Sequence, residues 1–355
     1  MRNCFLSGPI DPSLAKLKSL SVIFLDVNYL SVPFPKAFTE FRNLTSLHLA
    51  ATNLSGKLPE EILQTSTLQT LDLSYNKFLE GSIPFQKFPP NASLQTLILG
   101  DTNFGGQLPE SIGNLGQLTR IELRDCKFNG PIPATVGNLR RLIYLDFSSN
   151  NFSGPIPSFT LDVMTVTIKG LELELVKILT IFTSIDFSCN KFEGPVPEAI
   201  GEFKALYVLN LSNNALTGTI PSSLGHLPKL ESLDLSSNQL VGRIPQQLAN
   251  LNFLSFLNVS NNKLVGSIPL STQLQSFSEA SFENNAGLCG PPLEAKCHST
   301  PAITDRLSDS GRTGSHIDWS FVIAEIGVFF GLFPGMVPKN RTHGRRARRV
   351  QRRNH

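Results

Sequence analysis

Residues 230–245 read LESLDLSSNQLVGRIP. The same arrangement recurs at 142–157 (LIYLDFSSNNFSGPIP), 206–221 (LYVLNLSNNALTGTIP) and 254–269 (LSFLNVSNNKLVGSIP). The shared template is L-x-x-L-x-L-x-x-N-x-L-x-G-x-I-P. Its asparagine column can be followed along the chain in steps of 24 residues, apart from one step of 26 and one of 40: Cys4, Asn28, Thr52, Asn76, Thr102, Cys126, Asn150, Asn190, Asn214, Asn238 and Asn262. A fixed period of this length predicts a solenoid, whose units bury their apolar faces by stacking on one another.

The template also predicts the local structure of each unit. In L-x-L the leucines alternate with outward residues, so each repeat predicts one short strand, and the stacked strands predict a concave parallel sheet. The column asparagine is expected to be buried and to bond backbone groups of adjacent turns. Cys4 and Cys126 fill the same column, which predicts that they are buried free thiols or core residues. The glycine permits a tight bend and the proline stiffens it.

With its G-x-I-P segment, the 24-residue unit resembles the plant-specific leucine-rich repeat of receptor kinases, receptor-like proteins and polygalacturonase inhibitors. The resemblance covers roughly residues 1–269. It implies an α/β solenoid, a right-handed superhelix with a concave parallel β-sheet.

The repeat is interrupted between Pro157 and Phe182. Here TVTIK alternates like a strand, whereas GLELELVKIL fits a short helix or a continued strand. One interpretation is a tolerated loop insertion on the solenoid surface. The other follows from resemblance, because TVTIKGLELELVKILTIFTSIDFSCNKFEG is similar to the end of the island in plant receptor-like proteins, including the tomato Verticillium-wilt and leaf-mould resistance proteins. That family carries four repeats after its island, and four follow here.

A cysteine pair follows the last repeat, in SFENNAGLCGPPLEAKC. The pattern is similar to the C-terminal cap of the same family, which implies a disulfide between Cys289 and Cys297; two unpaired thiols are the alternative. Such a disulfide fits an extracellular compartment.

A membrane segment is predicted from Trp319 to Val337, which is 19 residues with one charge, Glu325, and long enough to cross the hydrocarbon core. The basic tail that follows predicts a cytoplasmic C-terminus and an extracellular solenoid, a single-pass type I topology at the plasma membrane. Gly327, Gly331 and Gly335 fall on one helix face, which favours helix pairing. The alternative is a soluble C-terminal tail.

The predicted organisation has seven segments. They are repeats over 1–157, of which the first is incomplete, an island over 158–181, four repeats over 182–269, a cap over 270–299, an extracellular linker over 300–317, a transmembrane helix over 318–338 and a basic cytoplasmic tail over 339–355. The first repeat lacks its strand, and no secretory signal precedes it, so we expect the sequence to be the C-terminal portion of a longer solenoid or a decayed start. Six sequons predict glycosylation outside the membrane: Asn43, Asn53, Asn91, Asn151, Asn210 and Asn258.

The sequence predicts a binding protein and not an enzyme. It contains no phosphate loop, H-E-x-x-H or nucleophile elbow, and no cofactor or metal site is predicted. Eight of the 31 Lys and Arg residues lie in the last 17 positions, so the body is mildly acidic and nucleic-acid binding is not expected. Variable polar and aromatic residues beside the L-x-L strands before the island predict ligand contact: His48, Tyr75, Asp101, Arg120, Glu122, Arg124, Asp125 and Tyr144.

The resemblance implies a cell-surface receptor-like protein without a kinase domain. Such a protein binds an extracellular peptide, protein or wall-derived ligand and signals through an adaptor receptor-like kinase and a leucine-rich-repeat co-receptor kinase, in plant defence. Two alternatives stay open: an extracellular polygalacturonase-inhibitor-like protein, and a truncated receptor fragment that does not signal.

Overall fold

A computed structural model describes residues 1–83, 88, 92–168, 171–178 and 182–297. These belong to the first of two compact units, Met1–Ser299, while the second unit is Thr300–His355. The predicted membrane helix with its three glycines, the basic tail and the sequon at Asn91 lie outside the described residues. In the described part of the chain, no helix combines the length and apolar character needed to cross a membrane.

Short strands dominate the described residues. In chain order they are β1 (Val22–Phe24), β2 (Ser46–His48), β3 (Ser55–Lys57), β4 (Thr70–Asp72), β5 (Phe78–Gly81), β6 (Thr96–Ile98), β7 (Asn103–Gly106), β8 (Arg120–Glu122), β9 (Lys127–Gly130), β10 (Tyr144–Asp146), β11 (Asn151–Pro155), β12 (Thr160–Ile168), β13 (Leu171–Ile178), β14 (Ser184–Asp186), β15 (Lys191–Pro195), β16 (Val208–Asn210), β17 (Ala215–Thr217), β18 (Ser232–Asp234), β19 (Val241–Gly242), β20 (Phe256–Asn258), β21 (Lys263–Ser267) and β22 (Gly287–Cys289).

The L-x-L strands form one parallel sheet, as the sequence predicts. Among the described residues it has ten strands in the order β1-β2-β4-β6-β8-β10-β14-β16-β18-β20. Each strand pairs in register with the next, so Leu209 faces Leu233 and Leu233 faces Leu257. The central residue of each strand is buried and its two neighbours lie on the outer side. We call this outer side of the ten strands the sheet face.

A second sheet was not predicted. Among the described residues, seven strands pair in the order β17-β15-β11-β9-β7-β5-β3, and β19, β21 and β22 form a further three-stranded sheet. Most of these strands end in the glycine of the G-x-I-P segment or run through it, and Gly154 and Gly194 adopt a positive φ of 78°. The prediction of one strand per repeat was therefore incomplete.

The helical elements also differ from the predicted α/β class. All helices in the described residues are 3-10 turns of three to five residues: Pro12–Lys16, Lys36–Glu40, Glu60–Ile62, Glu110–Asn114, Ala134–Asn138, Glu198–Glu202, Ser222–His226, Gln246–Asn250, Leu274–Ser276 and Glu279–Ser281. Most begin directly after a proline that fixes the entry φ. Turns from adjacent repeats stack closely. A Cβ placed on Gly225 would lie 2.3 Å from the backbone oxygen of Gln247.

The island forms a β-hairpin. Strands β12 and β13 pair antiparallel from Thr160↔Ile178 to Ile168↔Leu171, which settles the helix-or-strand alternative in favour of a strand. The solenoid continues on both sides of it, because β10 pairs with β14 and β11 with β15. The long step in the repeat is therefore an insertion between two repeats that stack directly.

Buried leucines and phenylalanines form one continuous core along the stack. Phe152 packs between Phe128, at 6.1 Å between ring centroids, and Phe192, at 6.2 Å. This stacking spans the insertion, since Phe152 precedes the hairpin and Phe192 follows it. At the end of the repeats, Cys289 and Cys297 are joined by a disulfide.

The column asparagines connect neighbouring repeats as predicted. Asn76 Oδ1 accepts the amide protons of Thr52 and Leu54 at 3.1 and 2.9 Å, and its Nδ2 donates to the carbonyl of Leu49 at 2.8 Å. The prediction that Cys4 is buried is wrong for this structure, because its thiol is exposed. Cys126 is half-buried, and burial raises the pKa of its thiol.

Candidate ligand-binding face

The predicted ligand-binding residues lie beside the buried leucines, either on the strands of the sheet face or in the segments that directly follow those strands. His48, Arg120, Glu122 and Tyr144 lie on strands of the sheet face, and Arg124 lies two residues beyond β8. The other three are turn residues that follow a strand and adopt a left-handed backbone: Tyr75, Asp101 and Asp125, with φ of 57°, 58° and 49°. Because neighbouring repeats pair in register, residues at equivalent positions of successive repeats form rows across the sheet face, and the row of turn residues runs beside the rows of strand residues.

Arg124 joins three repeats into one polar cluster. Its Nη2 donates to Tyr75 Oη at 3.0 Å and to Asp101 Oδ2 at 3.1 Å, and its Nε lies 3.9 Å from Asp125 Oδ2. The hydrogen bond to Asp101 is the main cause that raises the pKa of Arg124, and the nearby Tyr75 and Asp101 add to it. The Arg124 side chain is 44% exposed, so it remains accessible to a ligand.

Arg120, Glu122 and Tyr144 form a second cluster beside the first. Arg120 pairs with Glu122 on the same strand, and its guanidinium carbon lies 4.1 Å from the ring centroid of Tyr144 on the next strand. This is cation–π geometry. Burial is the main cause that raises the pKa of the Tyr144 phenol, and the carboxylates of Asp146 and Glu122 act in the same direction.

These two clusters bring seven of the eight predicted residues together. Each cation is matched by an acid, so the surface presents alternating charges instead of a single-sign field. Such a pattern selects among partners by complementarity more than it attracts them from a distance. Exposed ion pairs of this kind add little to folding stability, so a charged group of a ligand can replace one partner of a pair with little cost to the fold.

His48 lies apart from the clusters. Three strand steps separate it from Glu122 in the same sheet row, about 14 Å at the usual strand spacing. Its ring stacks on Phe24 with 4.1 Å between centroids. Asp26 and Asp72, which were not among the predicted site residues, place carboxylate oxygens within 4.8 Å of a His48 ring nitrogen and of each other.

A row of acids on the sheet face was not predicted; it includes Asp146, which is buried, and Asp186, which is half-buried. Asp146 and Asp186 are direct neighbours on β10 and β14. Burial is the main cause that raises the pKa of Asp146, and the charge of Asp186 contributes, while hydrogen bonds from Ser148 act against it. The recurring D-x-S of the template was the available signal, because the serine two residues on donates to the acid in several repeats.

The described sequons fall into two groups. Asn43, Asn53 and Asn151 are exposed, whereas Asn210 and Asn258 lie half-buried on the sheet face. Asn210 is engaged on both amide atoms. Its Nδ2 donates to Asp186 Oδ2 at 3.2 Å and its Oδ1 accepts from the Ser212 hydroxyl at 2.8 Å.

Family models of the leucine-rich repeat match the chain at 182–240 and 204–264 and at 67–88, 93–115 and 141–161. The chain is 41% identical over 319 residues to receptor-like protein 18 of Arabidopsis thaliana, covering 90% of this chain and 38% of that protein. It is 33% identical over 121 residues to receptor-like protein 6 of the same species and 35% identical over 105 residues to receptor-like protein Cf-9 of Solanum pimpinellifolium. These two alignments cover 34% and 30% of the chain and 12% of each relative, so the chain matches only a part of these proteins.

Solved plant structures share the fold. The plant peptide hormone receptor RGFR1 in complex with RGF2 aligns with a TM-score of 0.66 and 29% identity, over 82% of this chain and 48% of that one. PEPR1 with AtPEP1 aligns with a TM-score of 0.63 and 30% identity, over 74% and 38%. A plant ice-binding protein aligns with a TM-score of 0.57 and 29% identity, over 83% and 81%. Since receptors and an ice-binding protein share this solenoid, its function has to be argued from surface residues.

Proposed function

Because the chain is a leucine-rich-repeat protein homologous to the receptor-like proteins of plants, we propose that it binds an extracellular peptide or protein ligand on its sheet face. The observation that supports this most is the pair of adjoining clusters around Arg120 and Arg124. Two structurally similar receptors, RGFR1 and PEPR1, were solved with the peptides RGF2 and AtPEP1. A peptide ligand is therefore the class we favour over a wall-derived carbohydrate.

The chemistry of the clusters suits a short segment of mixed charge. The guanidiniums of Arg120 and Arg124 offer donors for a ligand carboxylate, and Glu122 and Asp125 offer acceptors for a ligand cation. Tyr75 is 55% exposed, and its ring supplies apolar contact area beside them. A ligand that exchanges with the internal ion pairs keeps every charge paired, which avoids the cost of burying a single charge.

Selection from a displayed random-peptide library on the purified full chain tests this proposal. We expect the selected peptides to bind Arg124→Gln and Glu122→Gln variants at least tenfold more weakly, as for a lost charged contact at an interface centre. Lys204→Gln is the matched control, because Lys204 pairs with Glu202 at 3.7 Å away from the sheet face. Peptides that bind all variants equally well would place the ligand elsewhere.

We also propose that the chain is a kinase-free receptor, anchored in the plasma membrane by the predicted segment from Trp319 to Val337. It would signal in defence through an adaptor receptor-like kinase and a leucine-rich-repeat co-receptor kinase. The exposed rings of Phe253 and Phe256, 69% and 48% exposed near the last sheet strand, support a partner contact after the island. This role needs binding and no catalysis.

Expression of the chain in plant leaf tests the anchor and the partner together. We expect membrane fractionation with resistance to alkaline extraction, glycosidase-sensitive mobility and co-precipitation of a receptor kinase. Replacing Gly327, Gly331 and Gly335 by leucine should weaken that co-precipitation while leaving membrane retention intact. Recovery in the soluble wall fraction would favour the polygalacturonase-inhibitor-like alternative, and an unglycosylated intracellular product would favour the truncated fragment.

A further inference from the structure

Three potential metal ligands converge on the first strands of the sheet face. In the described residues, Asp26, His48 and Asp72 place one ligand atom each so that all three atoms lie within 4.8 Å of one another. His48 and Asp72 are register partners on β2 and β4, and Asp26 lies two residues beyond β1. We propose that these side chains bind one divalent transition-metal ion, with Zn²⁺ as its representative.

Asp26 is the buried anchor of this site. The residue is only 6% exposed, and its Oδ1 accepts the amide proton of Ala50 at 3.0 Å. Its Oδ2 has Arg2 Nε at 4.0 Å, beyond hydrogen-bond reach, and the Arg2 side chain is 74% exposed. An ion between the three side chains would give this largely buried carboxylate a cation closer than Arg2.

The other two ligands are held by neighbours that leave one atom free for a metal. Asp72 Oδ1 accepts both the amide proton and the hydroxyl proton of Ser74, at 3.1 and 2.7 Å, so Oδ2 is the oxygen available to an ion. The His48 ring stacks on Phe24 with 24° between the ring planes, which fixes its orientation. Support of this kind from outside the coordination shell is what orients metal ligands in proteins.

The spacing also fits an ion between the side chains and not a direct contact among them. Among the described residues, His48 makes no ion pair with either carboxylate within 4.0 Å. Bonds of about 2.0–2.2 Å place tetrahedral ligands roughly 3.4 Å apart, so closure needs side-chain rotations on the order of 1 Å. Imidazole favours a transition ion over Ca²⁺ or Mg²⁺. Three protein ligands on an open face leave a coordination position for water or for a carboxylate.

This site is independent of the proposed peptide-binding role, because metal binding is measured without any peptide. The test is calorimetric titration of the chelator-treated full chain with Zn²⁺, and the same titration with Ca²⁺. His48→Phe keeps a ring on Phe24 and removes the nitrogen. Asp72→Asn keeps the acceptor for Ser74, since asparagine fills the same sheet row at Asn210 with the same bond to the serine two residues on.

The matched controls are His226→Ala, an exposed histidine in a 3-10 turn, and Asp234→Asn, which lies in the same sheet row as Asp72 and has the same serine contact. We expect His48→Phe and Asp72→Asn each to weaken one Zn²⁺ site at least tenfold, and both controls to retain it. Circular dichroism of each variant checks that the fold is kept. Unchanged Zn²⁺ binding in both test variants, no binding by the wild type at about 100 μM, or preference for Ca²⁺ would each overturn the proposal.

Discussion

The column asparagine Asn238 offers a test of how neighbouring repeats are joined. It is 8% exposed, its Oδ1 accepts the amide proton of Leu216 at 3.0 Å, and its Nδ2 donates to the carbonyl of Leu211 at 3.0 Å. Both of these groups belong to the preceding repeat. Within its own repeat, Nδ2 donates to Leu235 and Ser236 at 3.1 Å each.

Replacing Asn238 by alanine does not affect these groups equally. The Leu211 carbonyl keeps a donor in Asn214 Nδ2 at 3.2 Å, and the Leu235 carbonyl keeps one in Asn262 Nδ2 at 2.9 Å. The Leu216 amide loses the side-chain oxygen that it donates to. An unsatisfied buried amide costs about 1–3 kcal/mol, and the lost donor contacts add roughly 1 kcal/mol. We expect Asn238→Ala to lower the free energy of unfolding by about 2–4 kcal/mol.

Urea denaturation of the full chain in mild detergent, followed by far-ultraviolet circular dichroism, measures this difference. Hydrogen exchange at the Leu216 amide should accelerate in the same variant. Asn252→Ala is the control, because Asn252 is an exposed asparagine further along the chain and outside the asparagine column, and a change within about 0.5 kcal/mol is expected there. The reasoning is refuted if the two variants are equally stable, or if exchange at Leu216 is unchanged.

Three further outcomes follow from the stacked repeats, the cap and the buried Asp146. Gly225→Ala should destabilise the chain by about 2 kcal/mol or more, because its Cβ meets a backbone oxygen at 2.3 Å, whereas Gly116→Ala, with nothing within 4 Å, should be nearly neutral in the same denaturation assay. Reduction of Cys289–Cys297, eight positions apart, should lower stability by about 2–3 kcal/mol in melts with and without reductant; an unchanged melt would contradict this. The pKa of the Asp146 carboxyl is raised in the folded state, so this group favours folding at pH values below its ordinary pKa of 3.8, and that contribution is lost as the pH rises through the raised folded-state pKa. Asp146→Asn should therefore increase the free energy of unfolding at pH 7 and make it depend less on pH above 3.8.

The strands of the sheet face could be predicted because the central leucines recur at a fixed period with outward residues on both sides. The island shows where this reasoning reaches its limit. In Leu171–Ile178 the residues alternate as in a strand, but leucine and glutamate are also strong helix formers. A single segment cannot decide between the two, whereas pairing with Thr160–Ile168 does. The second sheet was missed for a related reason, since its strands depend on neighbours one repeat away and carry no alternation of their own.

The candidate sites also depend on neighbouring repeats, because each site brings together side chains from different repeats. All eight predicted ligand-binding residues were singled out because they lie beside the L-x-L strands before the island. The structure shows which of them meet across repeats, since Arg124 contacts Tyr75 and Asp101 and Arg120 contacts Tyr144. Metal ligands are usually sought at short spacings, and by that criterion His48 has no partner.

In a solenoid of this period, however, residues 24 positions apart are strand neighbours, and Phe24, His48 and Asp72 are separated by two such steps. Side chains in one row therefore face each other as residues on one helix face do in other folds. Asp26 joins the group because the neighbouring row places it beside His48. The repeat length thus serves as the spacing at which ligand sets should be sought, and the proposed metal site follows from that rule together with the burial of Asp26.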